Sequence, residues 1–114
     1  MSGPLRLIDM APVYSKSFFY DTVSPGTPVS FMTGPSSEVW IIRSMLFTCA
    51  NSGFGWDVDI TDISGNRIYS TGPQSVTTLV AQQLRTVLMP ATSYSVSAGT
   101  QPVFCAIDGY VLSS

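Results

Sequence analysis

The chain contains no histidine and only two cysteines, Cys49 and Cys105. Without histidine, Ser-His-Asp and Cys-His nucleophilic sites cannot be built. The commonest zinc ligand is missing too, and two thiols fall short of the four ligands of a structural zinc site. A glycine-rich phosphate loop is absent: Gly53 and Gly55 flank Phe54 without the remaining spacing or a following helix. Charge is scarce, at 11% of residues against roughly 25% in an average soluble protein. The five basic residues, Arg6, Lys16, Arg43, Arg67 and Arg85, form no run, and the net charge is −2. Binding of nucleic acid by phosphate neutralisation is therefore not expected. No apolar stretch approaches the roughly 18 residues of a membrane span. The first residues lack the charged region and long apolar core of a secretion signal, so none is expected.

What is present is aromatic and small-polar. Six Phe, five Tyr and two Trp accompany abundant Ser, Thr, Gly and Pro over 114 residues. That length suits one domain, which buries roughly two-thirds of its unfolded surface. Low charge with many aromatics opposes disorder. It also leaves little charged surface to keep copies apart, which points to buried subunit contacts. Each cysteine lies in a strand-like apolar run, and buried free thiols are the expected state. A disulfide stays open, since it needs Cα atoms within about 7 Å of one another.

Residues 1–14 read as an extended arm ahead of a domain at 15–114. Pro4 and Pro12 cannot donate to a ladder, and Leu5, Leu7, Ile8 and Met10 offer apolar contact points on the domain or on a neighbouring subunit. From residue 15 onward, strands and turns alternate. Strands are expected over 17–22, 28–32, 38–49, 56–60, 67–70, 93–98 and 103–112. Turns are expected at Pro25-Gly26, Gly34-Pro35, Gly65-Asn66 and Gly72-Pro73. Residues 56–60 alternate cleanly, with Trp56, Val58 and Ile60 on one side and Asp57 and Asp59 on the other. Residues 38–49 are apolar on both faces through Ile42. Such a strand is expected to be covered by a second sheet on one side and by another subunit or the arm on the other. Residues 75–89 fit either a helical face or two short strands, and the all-β surroundings favour the strands. Gly109 marks a bulge or a close backbone approach. About eight short strands with turns every 8 to 12 residues predict an all-β, antiparallel, jelly-roll-like β-sandwich.

Few side chains could carry chemistry. Asp57, Asp59 and Asp62 precede a turn, but the spacing of a calcium loop is not met. Solvent-facing carboxylates with a turn-capping Asp62 are the simpler reading. Asp57 and Asp59, two apart on a strand, sit about 7 Å from one another, but a sandwich this small offers little depth for a glycosidase groove. No catalytic, cofactor-binding or metal-binding residue is assigned, and no enzyme activity is expected. Phe54, between two glycines in a loop, and the adjacent Trp56 are candidate partner contacts.

The segments Val39-Trp40-Ile41-Ile42-Arg43-Ser44-Met45, Asn51-Ser52-Gly53, Ile60-Thr61-Asp62-Ile63-Ser64-Gly65-Asn66, Arg85-Thr86-Val87-Leu88-Met89-Pro90 and Ile107-Asp108-Gly109-Tyr110-Val111-Leu112 carry a resemblance. Over about residues 20–112 the chain resembles the small β-sandwich virion proteins of tailed bacteriophages. Met89, between Leu88 and Pro90, departs from the Val-Leu-Pro segment of those proteins. The resemblance implies a structural role on the particle, as a capsid decoration protein bridging shell subunits. The alternative is a minor tail or fibre component that binds a host receptor or carbohydrate. It further implies a homotrimer, a major capsid or tail protein as partner, assembly in the host cytoplasm, and an N-terminal arm that grips neighbours. On that reading Leu5, Leu7, Ile8, Met10, Phe54 and Trp56 are the contact residues.

Overall fold

A computed structural model describes residues 11–113 of the chain. Nine strands account for most of them: β1 (Ala11–Val23), β2 (Val29–Met32), β3 (Glu38–Thr48), β4 (Val58–Thr61), β5 (Arg67–Ser70), β6 (Thr78–Ala81), β7 (Thr86–Leu88), β8 (Ser93–Ala98) and β9 (Val103–Ser113). They form two antiparallel sheets. The five-stranded sheet has the order β1-β9-β3-β6, with β7 also paired to β3, and the four-stranded sheet has the order β2-β8-β4-β5. The chain passes from sheet to sheet as it advances, staying in one only for the β4–β5 hairpin and the β6–β7 pair. This winding is that of a jelly roll, and the all-β sandwich expected from turn spacing is what the chain forms.

Alternation sets the inner faces. Val58 and Ile60 of β4, and Tyr94, Val96 and Ala98 of β8, point inward from the four-stranded sheet. Trp40, Ile42, Met45 and Phe47 of β3 meet them from the other side, with Val103, Cys105, Ile107 and Val111 of β9. Aromatic rings join the layers: Phe47 stacks on Tyr69 at 6.1 Å and Phe19 meets Phe31 at 5.9 Å between centroids. Both cysteines are buried and free. Burial, with the charge of nearby Asp21, pushes the Cys105 thiol up to about 12.

The stretch at 75–89 resolves into β6 and β7, two pieces of one edge lane along β3. β6 pairs with Met45–Thr48 and β7 with Trp40–Ile42. Between them the chain loops out at 82–85, with Gln83 at φ 59° and Leu84 N–H donating to the Arg43 carbonyl at 2.9 Å. The break faces a β-bulge: the register of β3 on β9 shifts between Ile42 and Ser44, while that of β1 on β9 shifts between Ser17 and Phe19. Gly109 lies between the two bulges. A Cβ there would collide with the Ile41 carbonyl oxygen and the Phe18 ring, so the expected close approach is present and only glycine fits.

Of the segment read as an arm, 1–14, only its last four residues are described. Residues 11–14 run in β1, where Ala11 lies opposite Ser113 and Pro12 opposite Leu112. β1 is an edge strand, the position in a sheet where a missing proline N–H is tolerated. Leu5, Leu7, Ile8 and Met10 lie outside the described residues.

Candidate interaction surface

The outer faces of the two sheets differ in chemistry. On the four-stranded sheet the outward positions are Ser30 and Met32 of β2, Ser93, Ser95 and Ser97 of β8, and Asp59 and Thr61 of β4. Arg67 reaches Asp59 at 3.4 Å. Asp62, at the end of β4, accepts from the backbone N–H groups of Ser64 at 3.0 Å and Asn66 at 2.9 Å. It is a turn cap. Among the described residues no three His, Cys, Asp or Glu side chains lie close enough to hold a metal ion.

On the five-stranded sheet most of the outward positions of β3 and β9 are apolar. β9 presents Phe104, Ala106, Tyr110 and Leu112, and β3 presents Val39, Ile41 and Leu46, since their neighbours in sequence belong to the core. Ile41, Ala106 and Leu112 are buried without belonging to the core cluster. Tyr20 of β1 is 75% exposed, Val80 of β6 50% and Val87 of β7 47%. Tyr20 meets Phe104 edge-on at 4.8 Å between centroids. The two-faced apolar pattern read through Ile42 is thus real. The inner residues face the second sheet, and the outer ones range from buried Ile41 and Leu112 to exposed Val80 and Val87.

A polar notch interrupts this apolar face where the bulges and the 82–85 loop coincide. One cavity of about 610 Å³ is lined by residues that include Ser17, Arg43, Ser44, Gln82 and Asp108. A second, of about 430 Å³, shares Arg43 and Gln83 with it and adds Leu84, Arg85 and Tyr110. Arg43 and Arg85 are exposed, and neither has an ion-pair partner among the described residues. Lys16, by contrast, is committed to the Trp40 ring at 4.1 Å, a cation–π contact over the indole face.

The two loop candidates separate. Phe54 ends a short 3-10 turn (Ser52–Phe54) and is 82% exposed, so it is open to a partner. Trp56 is 2% exposed and does not offer itself to one. Its backbone bridges to Gln74, its indole N–H donates to the Val76 carbonyl at 2.7 Å, and its ring packs against Phe47. A tryptophan whose N–H finds a carbonyl can be buried whole, and that partner comes from a distant segment. Sequence reasoning passed over Arg43, Arg85 and Tyr110 as a group. Their only sequence signal is the arginine inside the apolar run of β3, which alternation places on the outer side.

No protein-family model matches the chain, and no curated protein is significantly similar to it.

Proposed function

We propose that this chain is a non-enzymatic structural subunit of a tailed-bacteriophage particle, a capsid decoration protein that works by covering the outer face of its five-stranded sheet. The observation that carries this reading is the contrast between that apolar face and the hydroxyl-lined face of the other sheet. A folded sandwich needs apolar residues only on its inner faces, so an outer face carrying Val39, Ile41, Leu46, Phe104 and Leu112 has a use outside the core. At roughly 25 cal/mol per Å² of apolar area buried, a contact of a few hundred Å² contributes several kcal/mol before association costs. The shell is reinforced because neighbouring subunits then separate only by exposing that area. The assignment to a phage shell rests on the resemblance of the strand segments. On it the partner is the major capsid protein, the working form is a homotrimer, and the place of action is the virion.

A second reading, a minor tail or fibre component that binds a host surface, is favoured by one feature. Phe54 projects at 82% exposure beside a shallow cavity of about 320 Å³ lined in part by Pro73 and Thr100.

The test is to mix purified protein with particles that lack it and to image them. Regular occupancy over the shell, lost in a Val80→Lys/Val87→Lys variant, is the expected result. Binding at the tail alone, or to host cells alone, overturns decoration in favour of the second reading. No binding to any part of the particle overturns both.

A further inference from the structure

We propose that the notch on the five-stranded sheet binds a doubly charged oxyanion of phosphate type, clamped between the guanidinium groups of Arg43 and Arg85. This goes beyond the reading of the face as a contact surface and is tested on the isolated chain.

The distribution of charge points to an anion. The chain as a whole is net negative, at −2. Yet three of its four described cations, Lys16, Arg43 and Arg85, line the two adjoining cavities of the notch. Of the six described carboxylates, Asp108 alone lines them. Lys16 and Asp108 both belong to the larger cavity, where their charges offset one another. That leaves the two arginines in excess. The smaller cavity, of about 430 Å³, is lined by both of them with Gln83, Leu84 and Tyr110, and by no carboxylate. Neither guanidinium has an ion-pair partner among the described residues.

The backbone brings the two arginines together. β7 pairs with β3 through Thr86 and Ile42, so Arg85 and Arg43 each lie one residue beyond that pair. One to two strand spacings, about 5 to 10 Å, separate their backbones. The ladder does not continue there, because β3 bulges at Arg43 and the chain turns through Gln83 at φ 59°. The loop is fixed beside the bulge. Leu84 donates its N–H to the Arg43 carbonyl at 2.9 Å, and its side chain packs against the core. Like charges facing one another across antiparallel strands are destabilising. An anion shared by both arginines converts that repulsion into attraction.

The donors define the class of ligand. Guanidinium forks bind carboxylate and phosphate oxygens in two-point geometry. Two forks match a phosphate group, which carries a charge of about −1.5 to −2 near neutral pH. A lone carboxylate leaves one arginine unmatched. The Gln83 amide and the Tyr110 hydroxyl line the same cavity and are neutral donors. The cavity has room for the free anion or for one carried on a larger molecule.

The test is a titration of the isotope-labelled full chain with inorganic phosphate, followed by amide chemical shifts at constant ionic strength. Saturating shifts centred on Arg43, Leu84 and Arg85 are expected, with a dissociation constant of about 1 mM or lower. Acetate should bind at least about tenfold more weakly, because it meets one arginine only. Arg43→Gln and Arg85→Gln should each weaken phosphate binding at least about tenfold, through loss of charge-assisted hydrogen bonds. Arg85 lies in the loop, so Arg85→Gln keeps the test intact should Arg43→Gln disturb the bulge. Arg67→Gln, on the other sheet, should stay within about twofold of the wild type. Glycerol phosphate separates the sources of the group. Affinity no higher than that of inorganic phosphate marks the free anion as the ligand, and higher affinity marks a group carried on a larger molecule. Either result supports the proposal. Absence of saturable shifts up to about 30 mM phosphate overturns it. So does acetate that binds as tightly as phosphate, or an equal loss in all three arginine variants, which is the pattern of unspecific counter-ions. None of these results decides whether the face meets a shell, which the particle-binding assay reads separately.

Discussion

The two outer faces of the sandwich share one backbone geometry and differ in what the sequence places on it. On the four-stranded sheet the outward residues of β8 are three serines, and those of β4 are Asp59 and Thr61. On the five-stranded sheet the outward residues of β9 are Phe104, Ala106, Asp108, Tyr110 and Leu112. Irregularity is also unequal. The five-stranded sheet holds the bulges of β1 and β3, the broken edge lane and the close approach at Gly109. The four-stranded sheet shows one register shift, between Ile60 and Thr61. Core formation needs neither the apolar outer residues nor the notch, since the inner faces alone supply the packed layer. One face presents hydroxyls and an ion pair, and the other presents apolar side chains around an irregular backbone.

The largest expected effect comes from disturbing the irregular region itself. Gly109→Ala places a methyl group against the Ile41 carbonyl and the Phe18 ring. Neither can retreat without moving β3 or breaking the stacking of Phe18 on Trp40 at 4.6 Å. We expect a loss of about 3 kcal/mol or more in urea unfolding. A loss below about 1 kcal/mol would mean that the bulged centre is soft and the notch not preformed.

The contrast between the faces is sharpened by matched lysines. Val80→Lys/Val87→Lys on the five-stranded sheet and Ser30→Lys/Ser95→Lys on the four-stranded sheet both fall at outward positions. Each pair should change unfolding free energy by about 1 kcal/mol at most, about 0.5 per surface site. In the particle-binding assay the valine pair should lose at least about tenfold in affinity through desolvation of charge at a contact, and the serine pair less than about threefold. Equal losses would erase the distinction between the two faces.

Much of this architecture was legible in the sequence because it depends on local period. The alternation at 56–60 and 93–98 gave the half-buried strands β4 and β8, and the two-sided apolar run gave β3 with apolar residues on both of its faces. Choosing two strands over a helix at 75–89 matched β6 and β7. The notch was not legible, because it depends on register. Arg43 bulges only through the way β3 meets β9, and the 82–85 loop has meaning only opposite that bulge. Trp56 was misplaced for a similar reason. Its position next to Phe54 made it a contact candidate, whereas the Gln74 bridge and the Val76 carbonyl that bury it lie about 20 residues away along the chain.

An effect of middle size tests the inner face that both sheets share. The Cys105 thiol is held up to about 12 from an ordinary value of 9.0, first by burial and then by Asp21. The folded state thus binds the proton more tightly than the unfolded state. The resulting stability is fully present below pH 9.0 and is lost as pH rises from there toward about 12. Unfolding free energy should fall over that window, and Cys105→Ala should flatten the fall. At pH 8 the native protein should resist thiol alkylation while the urea-unfolded chain reacts at both cysteines.

The smallest effect tests the solvated face. Arg67 is largely exposed, and its guanidinium reaches Asp59 at 3.4 Å. An exposed pair of this kind contributes about 0 to 1 kcal/mol and weakens with salt. Arg67→Ala should therefore cost under about 1 kcal/mol at low ionic strength and less at 0.5 M salt, about where the Debye length falls near 4 Å. One oxygen of Asp59 is buried with no hydrogen-bond partner, and a pair that offsets the burial of that oxygen is worth more than its exposure implies. A salt-independent loss above about 2 kcal/mol would show this. The four-stranded face would then hold a structured ion pair of its own and would no longer serve as the solvated standard for the apolar one.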